Sequence, residues 1–359
     1  MLPDSIVTMG AWAFKGSKLK EVVTPKSWTK ITFSYGSDFH SSPFAGCTTL
    51  RNITVPEGAT VLPDYAFNGR ASDKCPTSSI VSISLPSTLT SIGEAAFGET
   101  SISSMQLPSG LKTLGNQAFL NCKYLSSIAL PDSIETMGAW AFKGTTISSV
   151  VTPKSWTKIT FSYGSDFHSS PFAGCTTLRS ITVPEGATVL PDYAFNGRAS
   201  DNCPTSSIES FSLPSTLTKI GAYAFGETGI SEITIPKTVA TINENAMTNC
   251  SSLCRIVFFG DVKTIGATIA ANTSLSEIYI PFESSKVKAY FEQNYADVKI
   301  LYLPSSYHVL SWKNTGDTSI PDQMIQHGVK LTQPEIPVYA DHTFAGWYSD
   351  EAYTHVWNF

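Results

Sequence analysis

Apolar residues recur along this chain with a spacing that neither one helix nor one strand produces. Between 130 and 152, Leu130, Ile134, Met137, Ala141, Phe142 and Val150 alternate with short polar runs, and the pattern returns over residues 2–303. In general form it reads L-P-x-x-I-x-x-I-G-x-x-A-F-x-x-C/T-x-x-L-x-x-I-x-L-P. Units open at positions 3, 25, 56, 86, 108, 131, 153, 184, 214, 236, 259 and 281, with Phe259 standing for proline; most steps are 22 or 23 residues, and four are 30 or 31. One unit has too few apolar residues to close a core. Stacked neighbours must therefore bury Ile128, Leu130, Ile134, Met137 and Phe142 against their counterparts in a continuous interior.

Within a unit, the segment Leu-x-x-Ile-x-Leu alternates with period two and is rich in β-branched residues, as in Leu125, Ile128 and Leu130. It predicts one short strand per coil in a parallel sheet, ended by a proline that removes a ladder donor. The glycines at 93, 115, 138 and 221 suit a tight bend, since glycine takes positive φ at no steric cost. The Ala-Phe step plugs the interior from the opposite side. A coil of this length with a single strand predicts an α/β-type leucine-rich repeat solenoid.

The array is duplicated. Residues 22–73 recur at 150–201 with one difference, Asn52 against Ser180, inside a 128-residue repeat. The flanks drift more: positions 2–21 differ from their copies at 6 of 20 sites, and 74–107 at 11 of 34. Such contrast needs either recombination that homogenised the block or constraint by use, and both readings stay open.

The motif L-P-x-x-L-x-x-I-G-x-x-A-F-x-x-C-x-x-L-x-x-I, which units 108–130 and 131–152 follow nearly position for position, resembles the BspA-like leucine-rich repeats of bacterial and protist surface proteins. The resemblance implies a right-handed solenoid displayed outside the cell, often tied to adhesion to host surfaces, with no catalytic motif to carry over. About eleven coils are expected over 1–281. After them Ser284, Ser285, Val287, Ala289, Tyr290 and Phe291 form a short helical pattern, which with Val298 to Leu303 predicts a terminal cap over 282–304. Residues 305–359 differ in composition. There Phe344, Ala345, Gly346, Trp347, Tyr348 and Asp350, with Trp357, Asn358 and Phe359, resemble the Listeria–Bacteroides repeat, a small β-rich, β-grasp-like module of surface proteins, and the chain is expected to stop inside it.

Composition narrows the function. Only 15% of residues are charged and the net charge is -5, with no basic cluster of the kind nucleic acid requires. No apolar run approaches the roughly 20 residues of a membrane span. The chain opens in mid-repeat, so a longer precursor with an upstream export signal is expected, placing the protein at the cell surface or in the medium as a monomer.

Cys47, Cys122, Cys175 and Cys250 share one slot of the repeat, where a small buried group belongs. Cys75 and Cys203 occupy that slot one coil on, so Cys47 with Cys75, and Cys175 with Cys203, are alternatively placed for bridges. Zinc is not expected, because no ligand spacing recurs, and no cofactor is implied.

Two departures from the repeat carry the functional expectation. About eight extra residues enter within Thr32 to Pro43, and the next unit lengthens between Asn68 and Ser79; both return at 160–171 and 196–207. The first insertion sets aromatics among Ser, Gly and Asp, the mixture of rigid anchors and adaptable hydroxyls found in recognition loops. Phe33, Tyr35, Asp38, Phe39 and His40, with Phe161, Tyr163, Asp166, Phe167 and His168, are the candidate binding residues; the competing reading is that Phe33 and Phe39 merely pin a longer loop. Ser37, Asp38 and His40 are triad types but sit nearly adjacent in one loop, unlike a converging nucleophile, base and orienting group. Asp38 with His40, or Asp64 with Asp73, could hold a metal, but neither pair sits in a hard-metal loop, and solvated surface is the better account. Trp12, Trp28, Trp140 and Trp156 fall at repeat positions and read as packing rather than sugar platforms. Adhesion to a protein or glycan of a host matrix or neighbouring cell is thus favoured over a passive stalk, and both over a surface hydrolase.

Overall fold

A computed structural model describes residues 1–32, 42–69, 79–160, 170–197 and 206–303, with 307–310, 320, 323–326, 334, 336 and 345–348. The segment before each opener forms the expected parallel strand. Glu21–Val23, Asn52–Thr54 and Ser82–Ser84 make one such sheet, Ser149–Val151, Ser180–Thr182 and Ser210–Ser212 its copy, and Glu232–Ile235, Arg255–Phe258, Glu277–Ile280 and Lys299–Tyr302 a third. Between the first two sheets the pairing thins to a single bridge, Gln106 with Ala129. Ile128 and Leu130, expected in the interior, are accordingly only half-buried there.

Each coil carries a second strand that the one-strand expectation missed. It follows the opener at the x-I-G step: Val61–Leu62, Ser91–Ile92, Thr113–Leu114, Thr136–Gly138 and Lys158–Thr160 form a five-stranded parallel sheet. Its register sets Ile92 opposite Leu114, Leu114 opposite Met137 and Met137 opposite Ile159. Two or three residues cannot display a period; the neighbouring coils impose the extended backbone.

The third side of the coil, the Ala-Phe arm, is a run of turns whose alternate amides reach the next coil. Gln117, Phe119 and Asn121 donate to the carbonyls of Ala139, Ala141 and Lys143 at 2.9, 2.7 and 2.7 Å, while Ala118 and Leu120 donate back to Gly115 and Gln117. The arm thereby satisfies its backbone along the solenoid as a sheet would. Left-handed backbone falls at both ends of this arm, on Gln117 (φ 56°) and Asn121 (φ 55°), and recurs at Trp12, Tyr65, Trp140 and Tyr223. The conserved spacing of Gly93, Gly115, Gly138 and Gly221 therefore has another cause than the expected bend, for none of them has positive φ. A Cβ on Gly93 or Gly221 would stand 2.5 Å from the backbone nitrogen of Asp64 or Asp192 in the preceding coil, and one on Gly115 2.5 Å from the carbonyl carbon of Gly93. These glycines let one coil approach the next.

The arm's phenylalanines stack through the interior from Phe14 to Phe225. Phe119 is fully buried, with ring centroids 5.1 Å from Phe97 and 5.4 Å from Phe142. Trp28 meets Phe44 and Phe67 edge-on, and Trp156 meets Phe172 and Phe195 in the same way, so these two tryptophans are core packing. The last coils replace phenylalanine by Met247 and Ala270, and the helix Ser285–Asn294 then covers the end, burying Val287 and Phe291. Here the ladder lacks a further coil. Tyr290 and Tyr295 supply hydroxyls that accept from Ile269 N at 3.1 Å and Ala270 N at 2.9 Å. In the C-terminal region Tyr307–Leu310 pairs antiparallel with Gln323–Gln326.

Replacing Phe119 by Ala is expected to cost about 3–5 kcal/mol in chemical denaturation. Lys112→Ala removes only an exposed pair with Glu135 at 2.8 Å and should cost less than about 1 kcal/mol; equal effects would misplace the core. Gly115→Ala should destabilise by about 1–3 kcal/mol through overpacking. Gln117→Gly, two residues away, should stay within about 1 kcal/mol of the parent, because relief of left-handed backbone offsets the added chain entropy. Thermal midpoints of the two variants that moved together would refute this assignment of the glycine.

Candidate functional site

The insertions leave and rejoin the solenoid on equivalent frames. The first departs at Thr32, the end of the strand Lys30–Thr32, and returns at the buried Ser42, whose hydroxyl accepts from Phe44 N at 2.9 Å. In the copy, Lys158–Thr160 leads out and Ser170 accepts from Phe172 N at 3.1 Å. Beneath each exit a tryptophan indole, Trp28 or Trp156, donates to Lys30 O or Lys158 O at 3.0 Å. The second-sheet pairing is not continued from Lys30–Thr32 to Val61–Leu62, nor from Lys158–Thr160 to Val189–Leu190, which is where the extra residues enter.

The second insertion departs after Gly69, whose amide donates to Gly98 O at 2.7 Å, and its copy after Gly197, bonded to Gly226 O at 2.8 Å. Both insertions thus open beside the arms of successive coils, marked by Phe44 and Phe67 with centroids 6.2 Å apart. Phe33, Tyr35, Asp38, Phe39, His40, Phe161, Tyr163, Asp166, Phe167 and His168 lie outside the described residues. So do Cys75 and Cys203, and with them the two bridges.

The shared cysteine slot has a backbone role. The buried thiols of Cys47, Cys122, Cys175 and Cys250 donate to the carbonyls of Phe14, Phe97, Phe142 and Phe225 at 2.9, 3.1, 3.0 and 3.1 Å, each the stacked phenylalanine of the preceding coil. Burial pushes the Cys122 thiol up to about 11, against the hydrogen bond from Thr100 that lowers it. Cys254 is exposed. Asp64 Oδ1 accepts from Glu94 N at 2.7 Å in the next coil, and Asp73 lies outside the described residues. Among the described residues no group of three or more His, Cys, Asp or Glu is placed to hold a metal ion.

Trp12 and Trp140 occupy the left-handed position of their arms, half-buried, with Lys15 and Lys143 ammonium groups 5.0 and 4.9 Å from the ring centres. Their indole nitrogens are enclosed without a hydrogen-bond partner. The expected packing role holds for Trp28 and Trp156 outright, and for these two only on the face turned to the coil.

Two surface cavities were not foreseen. One of about 570 Å³ opens where the first sheet thins, between Ser127–Asp132 and Ser149–Thr152. Another of about 480 Å³ is lined by Arg51, Ser79, Glu99, Ser101, Lys123 and Tyr124, among others. Their signal lay in the divergence between the copies, since Lys123 and Tyr124 correspond to Ser251 and Ser252.

Parallel strands, stacked phenylalanines and a capping helix define a leucine-rich repeat solenoid. The model of the BspA type leucine rich repeat region matches in 6 copies over residues 1–75, 37–164 and 165–299, and the chain belongs to that family. Residues 308–359 match the Listeria-Bacteroides repeat domain. No curated protein matches the chain. Among solved structures, a leucine-rich repeat protein from Bacteroides ovatus shares 20% identity over 83% of this chain and 88% of its own, at a TM-score of 0.35. A leucine rich cell surface protein from Faecalibacterium prausnitzii shares 19% over 84% of each chain at 0.34. The pneumococcal vaccine antigen PcpA shares 16% over 83% of this chain and 92% of its own, also at 0.34.

The buried thiol makes stability depend on alkali. Its folded value lies above the ordinary 9.0, so the stabilisation is complete below pH 9 and is lost as pH rises toward about 11, on the order of 2 kcal/mol in all. Cys122→Ala should flatten that part of the curve in denaturation at stepped pH; an unchanged slope would assign it to other groups.

Proposed function

We propose that the chain is a non-enzymatic surface-exposed adhesion module that binds a macromolecule of a host matrix or neighbouring cell through its paired insertions. The observation that carries the reading is the block 22–73, kept at 150–201 with one difference while its flanks diverge. Two loops of one sequence rise from frames with the same capping serine and the same indole-to-carbonyl bond. A solenoid offers rigid, evenly spaced attachment points, and recognition by loops on such a scaffold is what the arrangement suits. Family membership supports a place at the cell surface or in the medium, and the helix over the last coil supports a monomer.

The two loops stand five coils apart, about 24 Å along the sheet, and so address one extended or repetitive partner with the gain in avidity that linkage gives. Replacing Tyr35 and Phe39 by Ser should weaken binding to immobilised matrix protein or glycan. Adding the same changes at Tyr163 and Phe167 should weaken it much further, with the thermal midpoint unchanged. If the fourfold variant binds as tightly as the parent, the insertions are not the site and the module acts as a stalk or through another face.

A further inference from the structure

The two halves of the duplication carry the same arms and strands, so wherever one half bears exposed chemistry that the other lacks, folding alone does not account for it. The cavity of about 480 Å³ beside Ser79 is such a place. Arg51 reaches it with one contact, Nη1 to Ser79 O at 3.4 Å, and neither Arg51 nor Lys123 has a carboxylate partner among the described residues. Tyr124 stands beside them 66% exposed, a large ring held in solvent. Asn121 and Ser101 add an amide and a hydroxyl to the lining, and Glu99, in a coil between those of Arg51 and Lys123, adds a carboxylate.

The second half keeps Asn249, Glu227 and the contact of Arg179 Nη1 with Ser207 O at 3.5 Å, but not the other features. Arg179 is neutralised by Glu209, Nε to Oε1 3.4 Å, where the first half has Val81; Ser251 and Ser252 replace Lys123 and Tyr124, and Gly229 replaces Ser101. A free guanidinium and ammonium recognise an anionic group, an exposed tyrosine offers a face to a ring, and the amide, hydroxyl and carboxylate of Asn121, Ser101 and Glu99 suit hydroxyl groups. We propose that this cavity is a binding site for an acidic saccharide, with Arg51 and Lys123 on its carboxylate or sulfate, the sugar ring against Tyr124, and its hydroxyls on Asn121 and Glu99. An acidic peptide fits less well, since it has no ring of hydroxyls for Asn121, Ser101 and Glu99 and the lining offers no aliphatic side chain for the peptide's own to pack on. The proposal rests on the reading of the chain as a binding module, yet uses none of the first insertion.

The test is calorimetric titration of the full chain at low salt with a heparin-derived hexasaccharide, trigalacturonic acid, maltotriose and hexaglutamate. At least one of the two acidic sugars should bind one per chain, maltotriose and hexaglutamate at least about tenfold more weakly, and added salt should weaken the complex. Which of the two binds distinguishes sulfate from carboxylate. Lys123→Ser with Tyr124→Ser, which copies the second half, and Arg51→Ala separately, should each lower affinity at least about tenfold; Arg179→Ala should change nothing. Failure of both acidic sugars to bind, binding that survives the Lys123 and Tyr124 changes, or hexaglutamate binding equally well would overturn the proposal. Loss of adhesion in the insertion variants with saccharide binding intact, or the reverse, separates this site from the paired loops.

Discussion

The closeness of one coil to the next governs everything else in this molecule. Where its ladders are complete, a coil gives backbone hydrogen bonds to the following coil on three sides: two through short parallel strands and one through alternate amides of the Ala-Phe arm. That third ladder demands a separation at which the backbone of Gly115 leaves no room for a Cβ against Gly93. It also sets the phenylalanine rings between 5.1 and 6.2 Å apart from Phe14 to Phe225. The spacing that pairs amides is also the stacking distance of aromatic rings, so neither interaction has to yield to the other.

The same constraint explains how the array ends and where it tolerates change. A ladder with one-sided donors needs acceptors after its last coil, and Tyr290 and Tyr295 provide them from the cap. Desolvation raises the Tyr290 hydroxyl well above the ordinary tyrosine value, which keeps it neutral beside the amide it serves. The first insertion enters where the pairing to the next coil is not continued, between Lys30–Thr32 and Val61–Leu62, whereas the second leaves after Gly69, whose amide still reaches Gly98 O.

Period and burial were legible in the chain because they repeat: Ile134, Met137, Phe142 and the cysteine slot all lie in the core as the spacing required. The second strand was not legible, since its two or three residues have no pattern of their own and are extended only by their neighbours. The glycines were assigned to the right places for the wrong reason. Conformational freedom and lack of bulk leave the same letter in a sequence, and only the facing coil distinguishes them. Tyr124 and Lys123 lay in view as differences between copies, but their meeting with Arg51, three coils earlier, depends on stacking across about 70 positions.

Duplication in a solenoid separates two kinds of demand on a residue. Positions such as Phe97 and Phe225, or Cys122 and Cys250, match between the halves because each faces an equivalent neighbour above and below. Exposed positions face no neighbour, and their agreement or disagreement is free of the ladder. The first insertion keeps its sequence between the copies, whereas the cavity at Arg51 differs at Ser101, Lys123 and Tyr124 on an equivalent frame. Recombination within the block and constraint by use would each keep the first surface alike while the second drifted. The chain therefore reads as one rigid array whose repeated frame carries one doubled sequence feature and one cavity lined differently in the two halves.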